Sequence, residues 1–92
     1  MTNGQPIPNS LRLHRTQAGL RQLDVATLLG LQCTDRISHW ENGETFPNVT
    51  NLFKLSAIYG VPPQELYGSL FERIKGEVAL IGQSVDSENN IA

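Results

Sequence analysis

The sequence predicts an all-α fold, a compact five-helix bundle with an extended C-terminal helix. Apolar residues recur at three- and four-residue spacing along most of the chain, which is the period of an amphipathic helix. Glycines separate the periodic segments, and glycine commonly ends helices because it reaches positive φ without a Cβ clash. With 92 residues, the chain is long enough for one domain with a modest core and too short for two.

The first and fourth helices are predicted from their caps. Asn9 or Ser10 can cap a first helix that runs to about Ala18. Asn48 can cap a fourth helix that runs to about Tyr59. The expected apolar face of the fourth helix consists of Val49, Leu52, Phe53, Leu55 and Ile58.

The segment from Gln22 to Gly43 predicts the second and third helices, joined by a tight turn. The second helix runs to Leu29 and ends at Gly30, which can take the positive φ of a C-terminal cap. Its expected inner face consists of Leu23, Ala26 and Leu29.

The third helix is expected to begin near Cys33 or Thr34 and to stop at Asn42-Gly43. Its inward residues are Ile37 and Trp40, and its outward residues are Thr34, Asp35, Arg36, Ser38 and His39. A short helix with donors and acceptors on its free face, braced by another helix, suits the reading of a DNA major groove.

The fifth helix is expected to run from Pro63 to about Leu80 or Ile81, either straight or bent at Gly68. Its outer apolar residues are Phe71, Ile74, Val78 and Ile81. So short a chain has few elements left to cover them. They are therefore candidates for a dimer contact, with packing inside the monomer as the alternative.

The two ends lack helical periodicity. Residues 1–8 contain two prolines and are expected to form a disordered arm. Residues 83–92 are polar and are expected to form a disordered tail. The predicted organisation is an arm at 1–8, a DNA-reading helical domain at 9–67, an extension of the last helix at 68–82 and a tail at 83–92.

Composition excludes several classes of protein. The chain has no apolar run of membrane length and no basic-then-apolar leader, so a cytoplasmic protein without a membrane partner is expected. A single cysteine excludes an internal disulfide and gives no metal-ligand set. Paired carboxylates, a nucleophile motif and a glycine-rich phosphate loop are absent from the sequence. We therefore expect no enzyme activity, no catalytic residue, no cofactor and no small-molecule ligand.

The net charge of −2 is unusual for a nucleic-acid binder, because phosphate neutralisation supplies much of the affinity. The charge is unevenly distributed, however. Residues 1–60 hold five arginines and lysines against four acidic residues, a balance of +1, and residues 61–92 hold two against five, a balance of −3. We therefore expect weak nonspecific DNA binding with a shallow salt dependence.

The stretch from Leu11 to Tyr67 resembles the phage-repressor type of helix-turn-helix domain, also called XRE-like or lambda-repressor-like. The matching residues are Leu11, Arg15, Gly19-Leu20, Gln22, Ala26, Leu29-Gly30-Leu31, Ile37-Ser38, Glu41-Asn42-Gly43, Pro47, Leu52, Leu55, Gly60-Val61 and Glu65-Leu66. The resemblance implies sequence-specific binding of double-stranded DNA. It also implies a transcriptional regulator, expected to act as a repressor and as a homodimer on a palindromic operator.

The resemblance implies roles for residues of the third helix. Counting back from Glu41-Asn42-Gly43, the base-reading set is Thr34, Asp35, Ser38 and His39. Asp35 has an alternative role, in which its carboxylate stabilises the first turn of the helix. The interval from Gly30 to Glu41 is eleven residues, where the family pattern has ten. The extra residue leaves Thr34 open between a helix cap and a base contact.

The resemblance also implies phosphate contacts and one structural ion pair. The phosphate-binding candidates are Arg21, Gln22, Arg36, Asn42 and Gly43. Arg21 stands where the family has a capping residue, so it is either a lost cap or a phosphate clamp. Arg15 and Glu41 are expected to form an ion pair that fixes the third helix against the first.

A second class of function remains open. The same outer apolar residues of the last helix would serve a protein-interaction module, such as an antitoxin that grips a partner protein. An antitoxin usually carries a longer partner-binding segment than residues 83–92 provide.

Overall fold

A computed structural model describes residues 5–89 and places six helices along them. The helices are α1 Leu11–Gln17, α2 Gln22–Leu29, α3 Asp35–Glu41, α4 Val49–Tyr59, α5 Pro63–Leu66 and α6 Gly68–Asn89. The predicted all-α class is confirmed, and the predicted fifth helix is divided into two.

The first five helices enclose the core, and each contributes one buried face to it. Its buried members are Leu11, Val25, Ala26, Leu29, Ile37, Trp40, Leu55, Leu66 and Tyr67. Leu23 was expected inside and is instead 53% exposed, and Val25 takes its place. The buried face of α2 centres on the line from Gln22 to Leu29, and Leu23 lies about 100° round the helix from Gln22.

The outer side of α4 is also more apolar than expected. Val49 and Phe53 were predicted on its buried face, and both are exposed. Leu55 is buried, and Leu52 and Ile58 pack against the core. Apolar content alone therefore did not identify the inner face of α4.

The helix predicted from Pro63 breaks at Tyr67, where the backbone leaves the helical region with φ −130° and ψ 45°. The Tyr67 ring is buried in the core, and the chain resumes as α6 when Phe71 N donates to Tyr67 O at 2.8 Å. The new helix extends to Asn89, beyond the expected end near Leu80 or Ile81. The tail expected at 83–92 is thus helical through Asn89, and residues 90–92 lie outside the described range.

The N-terminal segment also differs from expectation. Residues 1–4 of the expected arm lie outside the described range, whereas residues 5–8 pack on the domain. Ile7 lies against the core, and its backbone N donates to Gly43 O at 2.8 Å. The flanking prolines hold the backbone extended without needing N–H partners of their own. Within residues 5–89, every helix is either too short or too polar to cross a membrane.

Candidate nucleic-acid interface

The second and third helices are joined by a turn that Gly30 makes possible. Gly30 has φ +75°, and its N–H donates to Thr27 O while Leu31 N donates to Ala26 O at 2.8 Å. These two bonds satisfy carbonyls at the end of α2 in the pattern of a Schellman motif. The extra residue of the turn delays α3, which begins at Asp35. Thr34 occupies its N-cap position with φ −93° and ψ 2°.

The outer face of α3 gathers four of the residues named from the sequence. Asp35, Arg36 and His39 are exposed, and Ser38 is half-buried. The three exposed residues, together with Thr45, line a shallow depression of about 410 Å³. This surface combines a carboxylate, a guanidinium, an imidazole and a hydroxyl, the groups that hydrogen-bond base edges.

The loop after α3 contributes Thr45 to this surface, and Glu44 lies beside His39. The sequence indicated only backbone contacts from the loop Glu44 to Asn48, and the Thr45 side chain was not named because a loop residue carries no periodic signal. Glu44 Oε1 lies 3.2 Å from His39 Nδ1, and both side chains are about half exposed. The contact holds the imidazole beside the C-terminal end of the helix.

The inner side of α3 ends in a buried carboxylate. The side chain of Glu41 is 1% exposed, and Arg15 contacts it twice, with Nε 2.6 Å from Oε2 and Nη2 3.1 Å from Oε1. Gln22 Nε2 donates to Oε1 at 3.0 Å. Both carboxylate oxygens are therefore paired, and the expected partner Arg15 makes the shortest contact. Arg15 Nη1 also donates to Leu20 O at 3.0 Å, which ties the pair to the loop between α1 and α2.

The buried pair shifts the acid–base behaviour of its members. Burial alone would raise the pKa of Glu41, but hydrogen bonds from Arg15 and Gln22 outweigh it, so the pKa lies below its ordinary value of 4.5. The hydrogen bond to Glu41 raises the pKa of Arg15. Burial, with the charge of Glu41, raises the pKa of Tyr59 to about 12. Glu41 is therefore ionised, and Tyr59 neutral, near neutral pH.

Arg12 is a site residue that the sequence analysis missed. Its Nε lies 3.3 Å from Glu41 Oε1, and its Nη2 donates to Asn42 Oδ1 at 2.9 Å. A signal was present, because Arg12 and Arg15 stand three residues apart and therefore share a face of α1. Asn42 in turn lies with Nδ2 3.5 Å from Ser38 Oγ. Arg12 thus connects the buried carboxylate to the exposed end of α3.

Gln22 and Gly43 do not present the donors that the resemblance implied. The Gln22 side-chain amide is turned inward to Glu41. Gly43 is buried, with φ +77°. Its N–H donates to Trp40 O, and the N–H of Glu44 donates to His39 O at 2.9 Å. These backbone donors close the end of α3 instead of facing solvent.

The N-terminal segment completes that end of the helix. Asn9 Nδ2 lies 3.2 Å from Trp40 O, 3.3 Å from Glu41 O and 3.0 Å from Ile7 O. Asn9 Oδ1 accepts from Leu11 N at 3.0 Å. The last carbonyls of a helix need partners from elsewhere, and Asn9 supplies one for α3 while it starts α1.

At the start of α2, Arg21 is anchored by Asp24. Arg21 N donates to Asp24 Oδ2 at 2.8 Å, and Arg21 Nη2 lies 2.9 Å from Asp24 Oδ1. The side-chain hydrogen bond from Arg21 lowers the pKa of Asp24 to about 2. The reciprocal half of a capping box is thus made by Asp24, so the helix start is not left uncapped. The guanidinium remains largely exposed to solvent.

A short helix with a polar outer face, braced by a preceding helix across a tight turn, defines the helix-turn-helix class of DNA-binding proteins. A family model described as helix-turn-helix matches residues 11–66. The match covers more than half of the chain, so the protein belongs to this family, of the XRE or lambda-repressor-like type. The resemblance drawn from the sequence is confirmed. Comparisons with curated proteins and with solved structures gave no match.

Membership defines the general function. The protein is a DNA-binding protein of the transcription-regulator type. The family is typically non-enzymatic.

Proposed function

We propose that the protein represses transcription by occupying an operator as a dimer and reading base sequence through the outer face of α3. The observation that carries the proposal is the grouping of Asp35, Arg36 and His39 on one exposed surface. Directly beneath it, buried Glu41 ties α3 to both α1 and α2. A helix held rigidly in this way can position its side chains in a major groove.

Each exposed group suits a particular contact. His39 can donate to guanine N7 or O6, and Asp35 can accept from the amino group of cytosine. Ser38 directly precedes His39 on the same helix and completes the base-reading set with Thr34 at the helix start. Thr45 lines the same depression and extends the surface toward the loop.

Phosphate contacts are assigned to Arg36, Arg21 and Asn42, which are all exposed. Arg12 holds Asn42 Oδ1, and the Asn42 amide makes only a long contact of 3.5 Å with Ser38 Oγ, which phosphate could replace. Backbone contacts position a protein on DNA but carry no sequence information directly. With a charge balance of +1 in residues 1–60, few phosphates are neutralised, and specificity must come from base contacts.

Selection from a random duplex library with the purified protein tests this proposal. We expect an enriched palindrome with half-site centres about 10 bp apart. A Ser38→Ala/His39→Ala variant should lose the enrichment while keeping its helical circular dichroism. No enrichment at low salt by folded wild-type protein would overturn the operator proposal.

A matched pair of variants tests the phosphate role of Arg36. Arg36→Gln and Lys54→Gln each remove one exposed positive charge, from α3 and α4 respectively. If Arg36 contacts phosphate, the slope of log K against log salt should fall by about one for Arg36→Gln and stay unchanged for Lys54→Gln. Equal slopes for the two variants would remove Arg36 from the interface.

One observation supports the alternative of a protein-interaction module. An apolar groove of about 400 Å³ lies between the loop after α3 and the start of α6, lined by Phe46, Phe53, Tyr67 and Phe71 among others. Failure of the duplex selection would direct attention to this groove.

A further inference from the structure

Four apolar residues on α6 form a seam with coiled-coil spacing. We call Phe71, Ile74, Val78 and Ile81 the α6 stripe. They are separated by three, four and three residues, which places them at successive a and d positions of a heptad repeat. Their exposed fractions are 41%, 44%, 61% and 63%, so the stripe becomes more open with distance from the domain.

The part of α6 that carries the stripe has little packing against the other described residues. Leu70, in its first turn, packs against the core, whereas residues 71–81 are all exposed. A Cβ at Gly76 would meet none of the described atoms within 4 Å, so packing within residues 5–89 does not require that glycine. Helices draw most of their stability from packing, and an interior glycine costs about 1 kcal/mol relative to alanine. A contact along the stripe would supply that stability.

We propose that the α6 stripe is the seam of a parallel, in-register, two-stranded coiled coil between two copies of this chain. The inference specifies the dimer of the proposed function. Lys75 and Glu77 occupy the flanking e and g positions. Between Ile74 and Val78 these two charges confine the apolar surface to the narrow a/d seam that two helices bury. The remaining flanking positions hold Leu70 at g and Gly82 at e.

Charge also selects the orientation. The antiparallel register that overlaps all four stripe residues pairs Ile74 with Val78 and is centred on Gly76. It would bring the two copies of Lys75 together, and likewise the two copies of Glu77, and like charges at such distances are destabilising. In the parallel register, Lys75 faces Leu70 and Glu77 faces Gly82 of the other copy. The parallel arrangement avoids both repulsions.

The apolar surface extends beyond the seam at its N-terminal end. Phe71 and Ile74 also line the apolar groove, beside Phe46 and Phe53, which are 54% and 58% exposed. The stripe itself spans only about 15 Å of helix, which is too short to bury the area of a standard protein–protein interface. A parallel dimer places both grooves at the same end of the coiled coil, where their apolar residues can extend the contact.

Cysteine cross-linking without DNA tests the inference. Cys33→Ser removes the chain's one cysteine, and Ile74→Cys, Val78→Cys or Leu80→Cys is then introduced singly. In a parallel in-register dimer each stripe position faces its own copy, within reach of a disulfide. Oxidation with copper phenanthroline should therefore cross-link the Ile74→Cys protein to itself, and likewise Val78→Cys. Leu80→Cys, off the seam at a c position and 67% exposed, is the control and should remain uncross-linked.

Sedimentation equilibrium of the wild type gives the matching mass. A dimer that Val78→Glu dissociates, with helical circular dichroism of the domain retained, would support the coiled coil. A monomer at all concentrations would overturn the proposal. A trimer would also overturn it, and isoleucine at d, as at Ile74 and Ile81, favours trimers in longer coiled coils. Cross-linking only in mixtures of the Ile74→Cys and Val78→Cys proteins would show an antiparallel dimer and overturn the parallel register. None of these outcomes involves DNA, so half-site binding is judged separately by the duplex selection.

Discussion

Replacing Glu41 with alanine tests whether the buried carboxylate holds α3 in place. The substitution removes both acceptors of Arg15, whose side chain is only 12% exposed. It also removes the acceptor of the Gln22 amide and one of the two partners of Arg12. Arg15 would keep its charge, and its remaining contact would be the carbonyl oxygen of Leu20.

Breaking a buried ion pair by removing one partner typically costs about 3 to 5 kcal/mol, because the other charge stays buried without compensation. A small domain has a total free energy of unfolding of about 5 to 15 kcal/mol. Glu41→Ala should therefore remove a large part of the stability. Glu41→Gln keeps the shape and one acceptor, so it should cost less, about 1.5 to 3 kcal/mol for hydrogen bonds to a charged group.

Urea unfolding followed by circular dichroism measures these differences. Glu44→Gln is the matched control, because it removes a negative charge three residues away whose side chain is 55% exposed, and it should change stability by less than about 0.5 kcal/mol. If Glu41→Ala were no more destabilising than Glu44→Gln, the claim that this carboxylate holds α3 in place would be refuted. Loss of operator binding by Glu41→Gln at a temperature where it stays folded would show that this carboxylate also positions α3.

Further predictions follow from the same contacts. The stability that Glu41 contributes is present above its ordinary pKa of 4.5 and is lost as the pH falls through the lowered pKa of the folded state. The free energy of unfolding, measured at a series of pH values below 4.5, should therefore fall more steeply for wild type than for Glu41→Gln. Gly43→Ala should destabilise the protein more than Gly60→Ala. Both glycines have positive φ, but only a Cβ at Gly43 would meet Ile7 O, at 2.5 Å. Equal losses of unfolding free energy would argue against close packing of the N-terminal segment. Asn9→Ala should cost about 1 to 2 kcal/mol, because it removes the acceptor of the Leu11 N–H at the start of α1 and the donor to the last α3 carbonyls. An unchanged urea midpoint would contradict this role. Gly76→Ala should raise the helix content and should raise the free energy of unfolding by up to about 1 kcal/mol. A lower helix content by circular dichroism would contradict this prediction.

Local sequence signals located the helices well where a cap and a period agreed. Gly30 and Gly60 end α2 and α4 at the predicted positions, because positive φ is a property of the residue itself. Periodicity was less reliable for choosing the buried face. Leu23 and Phe53 are as apolar as core residues yet exposed, since burial depends on which neighbouring helix is present on each side.

In the candidate site too, some features could be predicted from local sequence and others could not. The outward residues of α3, such as His39, follow from the helical period once Ile37 and Trp40 are placed inside. The partners of those residues did not follow, because they come from distant parts of the chain. Arg12 reaches Asn42 across 30 positions, and no local pattern encodes so remote a contact.

By itself, the sequence determined the helical class and the family, because these depend on spacing and on the conformational preferences of single residues. Only the tertiary structure decided that Tyr67 divides the last helix, because its ring is drawn into the core. It likewise decided that Gln22 and Gly43 turn their donors inward. A buried carboxylate and a helix end must each find hydrogen-bond partners, and which groups supply them depends on how the whole chain packs.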